Sequence, residues 1–188
     1  KTKKNTPLQF DSFRVEKITG QPGQLLEKLY ATYFAIQKQF AADQKITEQQ
    51  ATTLNGLAVQ LAQDSQLSQP VKDELQQIAT SSEHLHHLSL DEARKKFKPI
   101  SHAVVTLATQ VRGGDTKLSF HHFFCPMVPE GGGDWLQSDN KLLNPYFGSK
   151  MLHCGELVPT FEAAKQPAPP GQSQQKQNHS SPSRPKGE

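Results

Sequence analysis

The sequence predicts a mainly α fold: an up-down four-helix bundle, a small C-terminal β-hairpin and loop unit packed on it, and a disordered tail. Three observations carry that reading. Within residues 24–113, apolar residues recur at three- and four-residue steps in four separate runs, the spacing that lines one face of a helix. After Gly114 the chain turns aromatic, β-prone and Gly-rich. From residue 164 to 188 it is rich in Gln, Pro, Ser and Lys and has no large apolar residue. The chain has 188 residues, 34% of them hydrophobic, at a mean hydropathy of −0.66. That fits one ordinary domain plus tails, with a core that does not run the whole length.

Residues 1–23 are polar and contain Pro7, Gly20, Pro22 and Gly23; they read as an irregular lead-in with one short strand at 10–15. The first helix follows from Leu26, Leu29, Tyr30, Tyr33, Phe34, Ile36 and Phe40, and its pattern fades near Asp43. Thr47 with Gln50 forms a capping-box start for a second helix with Ala51, Leu54, Leu57, Ala58, Leu61 and Ala62 inward. Ser68 and Pro70 open a third, with Val71, Leu75, Ile78 and Ala79 as its stripe. Ser89 with Glu92 is another capping box, and it opens a fourth helix. That helix carries Ala93, Phe97, Ile100, Val104, Leu107, Ala108 and Val111 and ends at Gly113-Gly114 as a C-cap. Pro99 falls inside it and should kink or split it. Short links between the four helices argue for the bundle over 24–113. Residues 114–160 then form the hairpin unit, with a Gly-rich turn near 128–134 and a turn at Asn144-Pro145. Residues 161–188 make up the tail, disordered on composition.

The net charge of +3 sits at the ends. Lys1, Lys3 and Lys4 lead the chain, and four cations against Glu188 close it. The stretch 5–164 has 14 basic and 17 acidic residues. A nucleic-acid binder places a basic stripe on its folded face, so nucleic acid is not an expected partner. No run approaches the roughly 18–20 apolar residues of a membrane span. The chain starts at Lys1 and shows no signal h-region, which reads as a mature or excised chain whose targeting segment has been removed.

Both cysteines and both methionines fall between 125 and 154, as Cys125-Pro126-Met127 and Met151-Leu152-His153-Cys154. The four share one property, soft sulfur. Thiolate and thioether together select copper(I) or silver over hard cations, and thioether offers little to zinc. The i,i+2 and i,i+3 spacings let each sulfur pair converge on one ion, and a hairpin can join the pairs. Other readings stay open beside this one. Met127 and Met151 also serve as core fillers. Cys125 and Cys154 also suit a disulfide in an exported protein, or two inert thiols.

Histidines extend the set. His121 shares a strand face with Cys125 by alternation, which makes it a better ligand candidate than His122, and His153 precedes Cys154. His84, His86 and His87 read as a solvated turn, and His102 as a residue at the edge of the bundle. No Gly-x-Ser-x-Gly elbow, P-loop or His-Glu-x-x-His occurs. Cys125 beside His121 or His122 lacks an orienting third group for catalysis. No enzyme is expected.

The segment Phe124 to Glu156 carries Cys125-Pro126-Met127, Asp134-Trp135-Leu136, Asn144-Pro145-Tyr146-Phe147-Gly148, Met151-Leu152 and Cys154-Gly155. These motifs resemble the signature of a bacterial domain of unknown function. That domain occurs in exported proteins and at the C-terminal end of copper/silver-type heavy-metal efflux periplasmic adaptor (membrane fusion) proteins. Upstream, Tyr33-Phe34, Phe40-Ala41-Ala42-Asp43 and the Ala51/Leu54 helix resemble its helical half, so the likeness spans roughly residues 24–157. The resemblance implies a periplasmic or otherwise exported domain that handles copper or a related metal. Carried over by motif, the ligands are Cys125, Met127, Met151 and Cys154, with efflux-pump or adaptor proteins as partners. It further implies that Trp135 packs the unit on the bundle, and that Asn144 to Gly148 set the turn returning Met151 and Cys154 toward Cys125. The chain has neither the lipoyl-like half nor the long hairpin of a full adaptor, so it reads as an excised piece or a stand-alone relative. The expected function is a copper(I) or silver binding domain accessory to efflux. The alternative is a helical interaction module of an efflux adaptor with Cys125–Cys154 as a structural disulfide.

Overall fold

The computed structural model describes residues 5–11 and 13–163. The chain is mainly helical. In order it forms β1 (Glu16–Ile18), α1 (Gly20–Ala41), α2 (Glu48–Ala62), α3 (Gln69–Ser82), α4 (Leu90–Gln110), β2 (Val111–Gly113), β3 (His121–Cys125), β4 (Gly133–Gln137), β5 (Glu156–Val158) and a short α5 (Thr160–Ala163), with 3-10 turns at Leu85–His87 and Gly148–Lys150. The predicted stripes are the buried faces. Every stripe residue of α1, α3 and α4 lies inside, and only Ala62 of the α2 stripe is half-exposed. Both capping boxes form: the Thr47 and Ser89 side chains accept from the third backbone N–H of their helices, and Gln50 and Glu92 reach back. Two otherwise orphaned donors are thereby satisfied at each start. Pro99 does not split α4, which runs unbroken through it.

Helices α1 to α4 pack in sequence, each on the next. The α1–α4 side is different, because β4 packs on α4 and also touches α1. Where α1 and α4 do meet, long aromatic side chains bridge them: Tyr33 stacks on Phe97 at 5.3 Å and Phe40 meets the same ring edge-on at 5.1 Å.

Three boundaries differ from the sequence reading, and tertiary pairing accounts for them. The lead-in over 1–23 is not irregular throughout: α1 starts at Gly20, and the strand lies at Glu16–Ile18 rather than 10–15, where it pairs in parallel with β2. Gly113-Gly114 is not a helix cap. The helix ends at Gln110, Val111 is already extended (φ −138°, ψ 147°), and Gly113 lies in β2 against β1. A Cβ at Gly113 would sit 2.6 Å from the Glu27 side chain and 2.8 Å from the Gly23 carbonyl, so the glycine permits close approach of strand and helix. Of the tail segment 161–188, residues 161–163 belong to α5, and the expectation of disorder for 164–188 lies outside the described residues.

The second sheet is antiparallel in the order β4-β3-β5. Its register places His122, Phe124, Asp134 and Leu136 on one face and Phe123, Cys125, Trp135 and Gln137 on the other. The β4 edge lies against the helices, where tyrosine hydroxyls meet its unpaired backbone: Leu136 N–H donates to Tyr33 Oη at 3.2 Å, and Tyr146 O–H donates to the Asp134 carbonyl. A polar strand edge is thus satisfied without a further strand.

Candidate metal centre

Cys125 ends β3 and is fully buried; Cys154 is half-buried. Their sulfurs stand 3.1 Å apart as free thiols. Each cysteine belongs to a tight turn that also carries a methionine. Val128 N–H donates to the Cys125 carbonyl at 3.4 Å, closing a turn over Pro126 and Met127. Cys154 N–H donates to the Met151 carbonyl at 3.0 Å, closing a second turn over Leu152 and His153. Met127 is 60% exposed and Met151 is half-buried. The two thiols are therefore in contact, and the thioethers stand on the turns that hold them.

The loop between β4 and Cys154 is positioned by a few polar anchors. Asn144, fully buried, donates from Nδ2 to the Cys154 carbonyl at 2.7 Å. Its Oδ1 accepts from Tyr146 N–H and Phe147 N–H, and its own N–H donates to the Leu152 carbonyl. One residue thus ties the turn at 144–147 to the return segment at Leu152 and Cys154. Arg94 on α4 ties this loop to the helices: its Nε donates to the Pro145 carbonyl at 3.0 Å, and its Nη2 reaches the Phe40 carbonyl and Asp43 Oδ1. Asp43 Oδ2 accepts from Ser149 N–H at 3.0 Å. Hydrogen bonds from Ser149 and Arg94 hold the Asp43 carboxyl well below the usual carboxylate range. Gly148 adopts φ +56°, and a Cβ there would collide with Asp43 and Arg94. Gln37 on α1 adds a bond from Nε2 to the Leu143 carbonyl at 2.8 Å.

Trp135 is fully buried in the one core cluster that the sheet shares with the helices. It stacks on Phe123 at 5.5 Å, meets Tyr146 edge-on and lies against Gly155, while Nε1–H donates to Gln137 Oε1 at 2.8 Å. Tyr146 makes the link outward, to Phe97 of α4 at 6.0 Å.

The histidines divide. His121 shares a face with Cys125 but begins the strand that Cys125 ends. Four strand residues span about 13 Å, so His121 is not brought to the thiols. His153 is exposed, and its Nδ1 lies 3.0 Å from the Leu142 carbonyl. A carbonyl can only accept, so Nδ1 carries the proton, which leaves Nε2 as the ring nitrogen that a metal could take. His84 and His87 are exposed at the turn before α4.

His122, the poorer ligand candidate by strand alternation, is the more constrained residue. It is fully buried, with Nε2 2.7 Å from Asp134 Oδ1 and Nδ1 2.7 Å from the Thr160 hydroxyl. Asp134 also accepts from Leu8 N–H at 3.0 Å and faces His102 at 3.5 Å. The signal was the strand alternation itself, which turns His122 toward Asp134 on the face opposite the thiols.

Among the described residues, no three of His, Cys, Asp and Glu converge as a ligand set. What converges is a pair of thiols, soft donors, with Met127 and Met151 on the turns that carry them. Ligation of one ion by two sulfurs at about 2.3 Å separates them by about 3.8 Å in tetrahedral geometry, and a disulfide brings them to about 2.05 Å. The observed 3.1 Å lies between the two, about 0.7 Å short of the first and about 1 Å beyond the second. Burial, then the neighbouring Cys125 thiol, pushes the Cys154 thiol up to about 11, so a metal must displace its proton.

The chain matches no family model, no curated protein sequence and no solved structure.

Proposed function

We propose that the chain is a soft-metal binding domain, taking copper(I) or silver, that works in an exported compartment as an accessory to heavy-metal efflux or resistance. The observation that carries this reading is the contact of Cys125 and Cys154, 3.1 Å apart on two turns that each bear a methionine. Cys125, Cys154, Met127 and Met151 hold the ion, and His153 Nε2 stands ready as an exposed further donor. The helices, arranged as an up-down bundle, are the scaffold, and efflux-pump or adaptor proteins are the partners. No reaction is assigned. The half-burial of Cys154 and the exposure of Met127 leave the ion accessible, which suits transfer better than permanent storage.

Copper(I) titration against a chromophoric competitor tests the reading. The protein is expected to bind one copper(I), and Cys125→Ser and Met151→Leu each to weaken it. Unchanged affinity in both variants refutes it. The rival is a helical interaction module with Cys125–Cys154 as a permanent staple. It predicts a disulfide that survives mild reductant in metal-free protein, read by intact mass after alkylation.

A further inference from the structure

We infer that Cys125 and Cys154 form a reversible redox gate on their own site: the dithiol loads metal, and oxidation of the pair to a disulfide closes the site. The inference rests on the soft-metal reading above and adds its regulation. Its basis is geometric. The sulfurs are 3.1 Å apart, so closing to a bond needs a movement of about 1 Å. The backbones on both sides are pinned within range: Cys125 is paired with Gly133 in the sheet, and Cys154 is held through its carbonyl by Asn144 and through its N–H by Met151. A disulfide has no thiolate left to offer a metal, so the two states exclude each other.

Burial also fixes the order of events. Cys125 is fully buried, whereas Cys154 is half-exposed, so an external oxidant meets Cys154 first. With a low-molecular-weight disulfide as oxidant, the Cys154 sulfur attacks one of its sulfurs. The external S–S bond breaks, and one thiol leaves with a proton. Cys125 then attacks the mixed disulfide at Cys154, forms the internal bond and releases the second thiol. Two protein thiols are oxidised and one external disulfide is reduced to two thiols.

The test equilibrates metal-free, full-length protein over a series of oxidised-to-reduced glutathione ratios. It then quenches with an alkylating reagent, reads intact mass and titrates each end-state with copper(I). The expected result is an unalkylated species 2 Da lighter at the oxidising end, with copper(I) affinity at least about 100-fold below the reduced form and recovery after mild reductant. Cys125→Ser should stop the sequence halfway, with one glutathione adduct on Cys154. Absence of the internal disulfide at every ratio overturns the gate, as does an oxidised form that binds copper(I) as the reduced form does. If the disulfide forms reversibly and neither state binds copper(I), it is the soft-metal reading that fails.

Discussion

The two faces of strand β3 carry the same kinds of polar and soft residues to opposite ends. On one face, His122 is sealed and saturated: a carboxylate at one ring nitrogen, a hydroxyl at the other, and further donors on Asp134. On the other face, Cys125 is equally buried, but its sulfur is partnered by a second thiol, and its own turn opens to solvent at Met127. A buried group whose hydrogen bonds are all made is committed to the fold. A thiol pair close enough to share a ligand is free to take one. The lesson is that burial alone does not separate structural from functional residues in this unit; the partners do.

Four changes break or sharpen that contrast. The largest effect belongs to Asp134→Ala, which strips partners from fully buried His122 and from Leu8 N–H. Leaving these buried groups unsatisfied costs about 1–3 kcal/mol each, read in urea unfolding at neutral pH. Protein that remains folded should bind copper(I) unchanged. Gly148→Ala comes next, because φ +56° and the collision with Asp43 and Arg94 act together. A loss of about 2 kcal/mol or more is expected, and here copper(I) affinity falls as well, since the displaced loop carries Met151 and Cys154.

The third is a pH effect on binding. With the Cys154 thiol pushed up to about 11, it is protonated throughout pH 6–8, and metal has to displace that proton. The apparent copper(I) affinity should therefore rise with pH by about tenfold per unit for each thiol proton released, measured by competitor titration at pH 6, 7 and 8. A flat profile would mean that the thiols are not the ligands. The smallest effect is expected for His121→Ala, which lies at the far end of β3 from Cys125; affinity should stay within about twofold.

The helical part was legible in the sequence because apolar spacing and capping residues are local signals. The stripes of α1, α3 and α4 and the boxes at Thr47 and Ser89 are all present. What sequence spacing does not encode is pairing across long separations. The β1–β2 pair joins residues 16–18 to 111–113 and overrides a Gly-Gly dipeptide that looks like a helix end. The sulfur cluster was visible as four residues of one chemistry in one stretch. Its supports were less so. Asn144 was readable as a turn residue, whereas the Arg94–Asp43 anchor joins α4 to the end of α1 over 51 positions and leaves no local trace. His121 and His122 show the same limit at one-residue scale. Alternation assigned their faces correctly, but strand length separated His121 from the thiols, and the value of His122 depended on Asp134 and Thr160.

The most direct test of the central claim is X-ray absorption at the copper edge on protein loaded with one equivalent of copper(I). The account predicts a first shell of sulfur at about 2.2–2.3 Å, lost in the double variant Cys125→Ser/Cys154→Ser. A first shell of nitrogen and oxygen alone, or a sulfur shell that survives the double variant, would contradict it.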